Sequence, residues 1–317
     1  MSIRRLVVLL ALSVAPSLSA QQDFSQVKVT VVPVVPSVYM LQGSGGNIGL
    51  SVGSGGAFVI DDEYAPLTDR IRAAIATVTP NPVRFVVNTH WHGDHAGGNE
   101  NMATGGAIVV AQENVRRRMG TEQFNALFKS TTPASPTSAL PVITFTDEIA
   151  FYVNGDSVQV MHVANAHTDG DALVMFRGAN VVHMGDTFFN GMYPYIDVSS
   201  GGSLVGMIAA ADRGLAMTNA STRFIPGHGP LGDRASLMAY RKMLSTVRDR
   251  VGALVAKKRT LAQVLAAKPL ADYDKTWGKG FMKPEQFLTI VYTSLSKGGQ
   301  FVPSRNTKPH RARNMRM

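Results

Sequence analysis

Four side chains able to ligate a metal ion, His90, His92, Asp94 and His95, fall within six residues of this 317-residue chain. Three of its eight histidines are in that stretch, so a polar loop with chance histidines is the weaker reading. A mostly apolar run, Val83 to Val87, precedes them, and Gly97 and Gly98 follow. The run reads as a buried strand, so the ligands emerge from its end into a loop that the glycines leave free to bend. Imidazole and carboxylate suit zinc and its neighbours among the metals. Alternate residues of a loop point the same way, so His90 and His92 are placed to grip one ion. Asp94 and His95 are then free to turn toward a second.

His-x-His-x-Asp-His followed by Gly-Gly, after an apolar strand, resembles the signature of the metallo-β-lactamase superfamily. The resemblance implies three further motifs in order, and all three are present. They are Ala166-His167-Thr168-Asp169-Gly170-Asp171, then Val181-Val182-His183-Met184-Gly185-Asp186-Thr187, then Ile225-Pro226-Gly227-His228-Gly229-Pro230. It covers about residues 37 to 230. It also implies roles: His90, His92 and His167 hold a first ion, Asp94, His95 and His228 a second, and Asp186 bridges the two. The cofactor expected is a pair of zinc ions, with iron or manganese as substitutes. Three or four protein ligands and an open position per ion is the pattern of a catalytic site. A hydroxide held between two ions is a nucleophile at neutral pH, because metal binding lowers the pKa of water from 15.7 to about 7. Asp94 is the expected catalytic proton shuttle between that water and the leaving group.

The other histidines read differently. His162 and His183 sit in apolar runs and are expected to be hydrogen-bonded sheet residues, and His310 belongs to the tail. Asp61 ends an apolar strand, where it either orients a ligand histidine or closes a turn. Asp169 and Asp171 have the same two readings. Trp91, Phe189, Asn190 and Tyr193, with Phe188 and Tyr195, are expected to contact substrate, the aromatics as pocket walls and Asn190 as a donor to a carbonyl.

The elements that must position these groups alternate along the chain. Strands are expected at 27–35, 37–42, 47–52, 57–60, 83–88, 107–110, 143–145, 149–153, 157–163, 172–176, 180–184 and 223–225. Helices are expected at 67–77, 113–128, 204–215, 236–254, 261–266 and 284–295. Pattern alone gives a mixed α+β fold. The four-layer αββα sandwich, as one domain over residues 21–296, is what the resemblance implies.

Residues 1–20 carry Arg4, Arg5 and an apolar run from Leu6 to Val14, and read as a secretory signal too short to span a bilayer. An exported chain meets an oxidising compartment, yet this one has no Cys. Its stability must come from a core, and no thiolate is available as a ligand. The net charge of +9 invites a nucleic-acid reading. Arg4, Arg5 and the tail residues Lys297, Arg305, Lys308, Arg311, Arg313 and Arg316 account for eight of those charges, leaving a body near +1. No nucleic-acid partner is therefore expected. The tail at 297–317 reads as a solvated extension, its functional alternative being contact with anionic surfaces.

Within the superfamily, export and the His167–Val174 segment resemble secreted β-lactamases. Two departures stand against a dedicated one. Asp186 occupies a place where β-lactamases with Asp in the first motif mostly have Cys or Ser, and Phe189 stands where many carry a Lys for the drug's carboxylate. The Asp bridge is more similar to glyoxalase II and the lactonases, although no basic glutathione grip is evident. His95 and His228 together disfavour the one-iron persulfide dioxygenases, and His92 disfavours the flavin-linked diiron members. The expectation is a secreted dinuclear zinc hydrolase acting on a small molecule with an amide or ester-type carbonyl, a β-lactam ring being the specific choice. The alternatives are a lactonase, a glyoxalase-II-like thioesterase, or a non-catalytic metal or ligand binder.

Overall fold

Strands with no polar alternation need cover on both faces, and the chain supplies it in four layers. The computed structural model describes residues 23–296; the leader expected at 1–20 and the basic tail expected at 297–317 lie outside the described residues. A seven-stranded sheet runs in the order Thr30–Val35, Val38–Gln42, Ile48–Ser51, Ala57–Ile60, Val83–Asn88, Ile108–Gln112, Ile143–Phe145. A six-stranded sheet follows as Glu148–Val153, Asp156–His162, Ala172–Phe176, Val181–His183, Arg223–Ile225, Gly232–Asp233.

Successive residues of one strand go to different layers. Phe58, Ile60, Val87 and Val110 meet Val160, Val174, Phe176 and Ile225 of the other sheet. Their neighbours Val59, Val86 and Val109 pack outward with Ile71 and Ile75 of the Thr68–Ala76 helix. The second sheet turns Leu173, Val182 and Phe224 outward against the Leu204–Ala216, Arg234–Ala256 and Pro284–Ser296 helices. Each such fully buried side chain is worth about 1.5–3 kcal/mol. The α+β class and the αββα layering are those expected. No described helix is long and apolar enough to cross a membrane.

The helix expected over 113–128 is wrong in its second half. It runs Glu113–Met119 and stops at Gly120. Gln123–Asn125 and Ser130–Thr132 then form a separate hairpin. Asn125 turns the chain there, its side-chain oxygen accepting from the backbone N–H groups of Leu127 and Phe128. Local turn chemistry wins over helical spacing. The Ala271–Trp277 helix and the short helices Gly93–Ala96 and Asn99–Thr104 were not legible in the pattern.

Parallel strands put the chemistry at one end. Val83–Asn88 lies parallel to Ala57–Ile60, and Val181–His183 parallel to Arg223–Ile225. Asp61, His90, Asp186 and His228 all leave the carboxyl ends of these strands, where open α/β sheets form their crevices.

Candidate metal centre

The structure gathers all seven expected ligands. His92 Nδ1 and His167 Nε2 lie 2.9 Å apart and, with a nitrogen of His90, form a trio whose ligand atoms are within 4.8 Å of one another. Asp94, His95 and His228 form a second such trio. In it Asp94 Oδ2 is 3.3 Å from His228 Nε2, which is 3.5 Å from His95 Nε2. Asp186 stands between, with one oxygen toward each trio. Oδ1 is 3.0 Å from His95 Nε2 and 3.4 Å from His228 Nε2. Oδ2 is 3.5 Å from His167 Nε2 and 3.9 Å from His90 Nε2.

Backbone size limits make this approach possible. A Cβ on Gly227 would sit 2.0 Å from Asp186 Oδ1, and one on Gly46 would sit 2.0 Å from the His95 ring. Only glycine fits beside His228 in its turn, and only glycine fits where the 43–46 loop passes the second trio.

The far side of each ring is held. His95 Nδ1 lies 2.7 Å from Asp61 Oδ2, and Asp61 also accepts from the N–H and hydroxyl of Thr89. His167 Nδ1 donates to the Tyr195 carbonyl, and His92 Nε2 donates to Asp197. His90 Nδ1 faces the Thr89 hydroxyl at 3.0 Å. Such partners fix the tautomer and aim the other nitrogen. Asp61, His90 and His95 also cluster, but three donors already occupy the Asp61 carboxylate, so it orients rather than ligates.

These contacts test whether the residues suit a cation. With their far nitrogens donating, His92 Nδ1 and His167 Nε2 turn lone pairs toward each other at 2.9 Å. His90 Nε2 is buried with no hydrogen-bond partner. Unpaired acceptors converging on one buried point are costly without positive charge, so the donor set fits metal ions.

Without metal, protons must do that work, and this predicts a pH effect. Burial opposes charge on His95 and His228, but the Asp186 charge overrides it, with Asp61 helping at His95 and Asp94 at both. His95 is raised well above the usual imidazole value and His228 to about 9. A raised histidine contributes stability that is full below pH 6.5 and is lost as pH climbs through its folded value. Burial pushes His90 well down and His167 down to about 4, so these two cost stability as pH falls from 6.5 toward 4. The chelator-treated protein is therefore expected to lose melting temperature steadily between pH 6.5 and 9, and the zinc-loaded protein to lose much less. Thermal unfolding across that range with and without zinc checks it; identical curves would contradict it.

The sequence of the chain matches the metallo-β-lactamase superfamily over residues 41–253. The chain belongs to that superfamily. It is a hydrolase with a histidine-rich site able to hold metal. Among solved structures, a metallo-β-lactamase from Pontibacter korlensis aligns at 19% identity and a TM-score of 0.56, over 69% of this chain and 99% of its own. The stereoselective inverting sec-alkylsulfatase Pisa1 from Pseudomonas sp. aligns at 19% identity and a TM-score of 0.63, over 87% of this chain and 52% of its own. At such identities both matches report the fold. This superfamily member spans about half the length of that alkylsulfatase.

The expected substrate contacts fare unevenly in this metallo-β-lactamase fold. Trp91 lines a cavity of about 220 Å³ beside His92, with Arg118, Met119, Gln123, Asn125 and Asp197. Tyr193 is corrected: it is fully buried, stacked on Phe287, and its hydroxyl donates to Asp274. It packs against helices near the chain's end. Asn190 is also corrected. Its side-chain N–H donates to the Pro230 carbonyl and its backbone N–H to the His228 carbonyl, so it braces the His228 turn. Phe189 is buried and stacks on the His228 ring at 5.2 Å, which supports that ring rather than an open pocket.

His162 Nδ1 and His183 Nε2 bond to the carbonyls of Asp171 and Asn47, as sheet histidines should. Asp171 caps the His167 loop, and Asp169 pairs with Arg118. Asp197 went unnoticed in the sequence, since no spacing signal links it to His92, 105 positions away.

Proposed function

We propose that the enzyme is a secreted dinuclear zinc hydrolase that cleaves an amide- or ester-type carbonyl, a β-lactam ring being the preferred specific substrate. In this reading His90, His92 and His167 hold one ion, Asp94, His95 and His228 the other, and Asp186 serves both. The observation that carries it is the position of Asp186, one oxygen toward each trio within 4 Å. Bound ions would supply Lewis acidity and a water acidic enough to lose its proton near neutral pH. Asp94 does the proton work. It is only partly buried, unlike His95, and its Oδ2 is held 3.3 Å from His228 Nε2. Burial opposes its charge, but His95 and a hydrogen bond from His228 hold its carboxyl well below the usual range, so it is an acceptor at neutral pH.

A second reading, sulfate-ester hydrolysis, rests on the longer structural match to the alkylsulfatase. Against it, Arg118 beside the cavity is already paired through two nitrogens with Asp169 and offers no spare charge for a sulfate. Export rests on residues 1–20 alone, and contact of the 297–317 tail with anionic surfaces on its charge.

A panel on the zinc-loaded enzyme tests the reading: nitrocefin, an acyl-homoserine lactone, a glutathione thioester and a secondary alkyl sulfate. Two equivalents of zinc with turnover of the lactam or lactone supports it. Turnover of the sulfate alone would replace it with the second reading, and tight metal with no turnover at all would favour a metal binder.

A further inference from the structure

The segment 278–283, between the Ala271–Trp277 and Pro284–Ser296 helices, brings an exposed phenylalanine to the metal centre from a distant part of the chain. The Phe281 ring lies 6.0 Å from the His228 ring and 6.3 Å from Phe189, which itself stacks on His228. Phe281 is nonetheless 53% exposed, while the next residue, Met282, is fully buried. The backbone is thus anchored and one ring is left out at the His228 side of the site.

That anchoring is specific. The Tyr193 N–H donates to the Trp277 carbonyl, and the Tyr193 hydroxyl donates to Asp274 one turn earlier. A Cβ on Gly280 would sit 2.8 Å from Met192. The chain that follows Asp186 therefore grips the chain that carries Phe281. Across the site, Tyr195 lies 5.8 Å from His92 and 5.3 Å from Phe128, whose ring is 48% exposed. Aromatic rings beside a few convergent polar groups are the usual walls of a small-molecule cleft.

The geometry points to Phe281 as a specificity-determining residue: its ring packs on the apolar carbon portion of a small-molecule substrate held at the second trio, favouring substrates with a hydrocarbon substituent on the His228 side. This rests on the hydrolase reading above, with metal at both trios. A merely structural Phe281 would change stability but not discrimination among substrates that differ in carbon count.

The test uses n-alkyl thiols from propanethiol to heptanethiol, whose thiolates ligate zinc. Calorimetric titration of the zinc-loaded full chain reads affinity against chain length. Full burial of a methylene is worth about a four-fold gain and contact with one wall about two-fold. The wild type is expected to gain about two-fold or more per methylene. Phe281→Ala is expected to lose at least half of that gain per methylene, and Phe281→Leu to recover most of it. Equal slopes in wild type and Phe281→Ala, or no slope in the wild type, would overturn the inference and leave the hydrolase reading standing. Fewer than two equivalents of bound zinc in the wild type would overturn both.

Discussion

Asp186→Ala is expected to reduce turnover by well over a hundred-fold and to leave the purified protein with less than half its wild-type metal. Removing a partner that merely orients a ligand already costs about ten- to a hundred-fold in metal affinity or activity. Asp186 is closer than that: its two oxygens approach four imidazole nitrogens, at 3.0 to 3.9 Å. Its carboxyl is held well below the usual range because, against burial, the charges of His228, His95 and His167 surround it. Without it those imidazoles face one another with no intervening anion, so the rise in metal-free stability toward pH 6.5 should also shrink. Metal content by mass spectrometry and melting temperature against pH separate this from general unfolding. A variant that keeps two equivalents of zinc would contradict the shared-ligand role.

Asp94→Ala should behave differently. The His90, His92 and His167 trio does not involve Asp94, so the variant is expected to retain at least one equivalent of metal. Loss of a positioned proton acceptor typically costs about 10²- to 10⁴-fold, and turnover is expected to fall in that range. Asp94→Asn keeps the size and removes the charge, and should fall as far. Wild-type turnover with a reduced metal count would remove Asp94 from the proton path, and loss of both metals would make it chiefly structural.

Much of the centre was legible because its ligands sit where strands end. His90 through His95 are contiguous, and His167, Asp186 and His228 each follow or precede an apolar run that the pattern marks as a strand. What held those ligands was harder to read. The sequence around Asp61 is compatible with a turn or with a histidine partner, and the 2.7 Å contact with His95 makes it the partner. Asp197 gave no signal, because its contact with His92 depends on how two loops meet rather than on spacing in either. Tyr193 misleads for a related reason: its partners Asp274 and Phe287 lie more than eighty residues later, in helices of which one has no clear sequence pattern. The hairpin after Gly120 was hidden by apolar residues that continued a helical period past its end. The four-layer arrangement came from the resemblance, since strand and helix patterns do not say which sheet faces which.

Anomalous diffraction at the zinc edge, from crystals of zinc-loaded protein, tests the central claim most directly. Two zinc peaks are predicted, one among His90, His92 and His167 and one among Asp94, His95 and His228, with Asp186 between them. A single peak, a peak centred on Asp61, or none within reach of Asp186 would contradict the account.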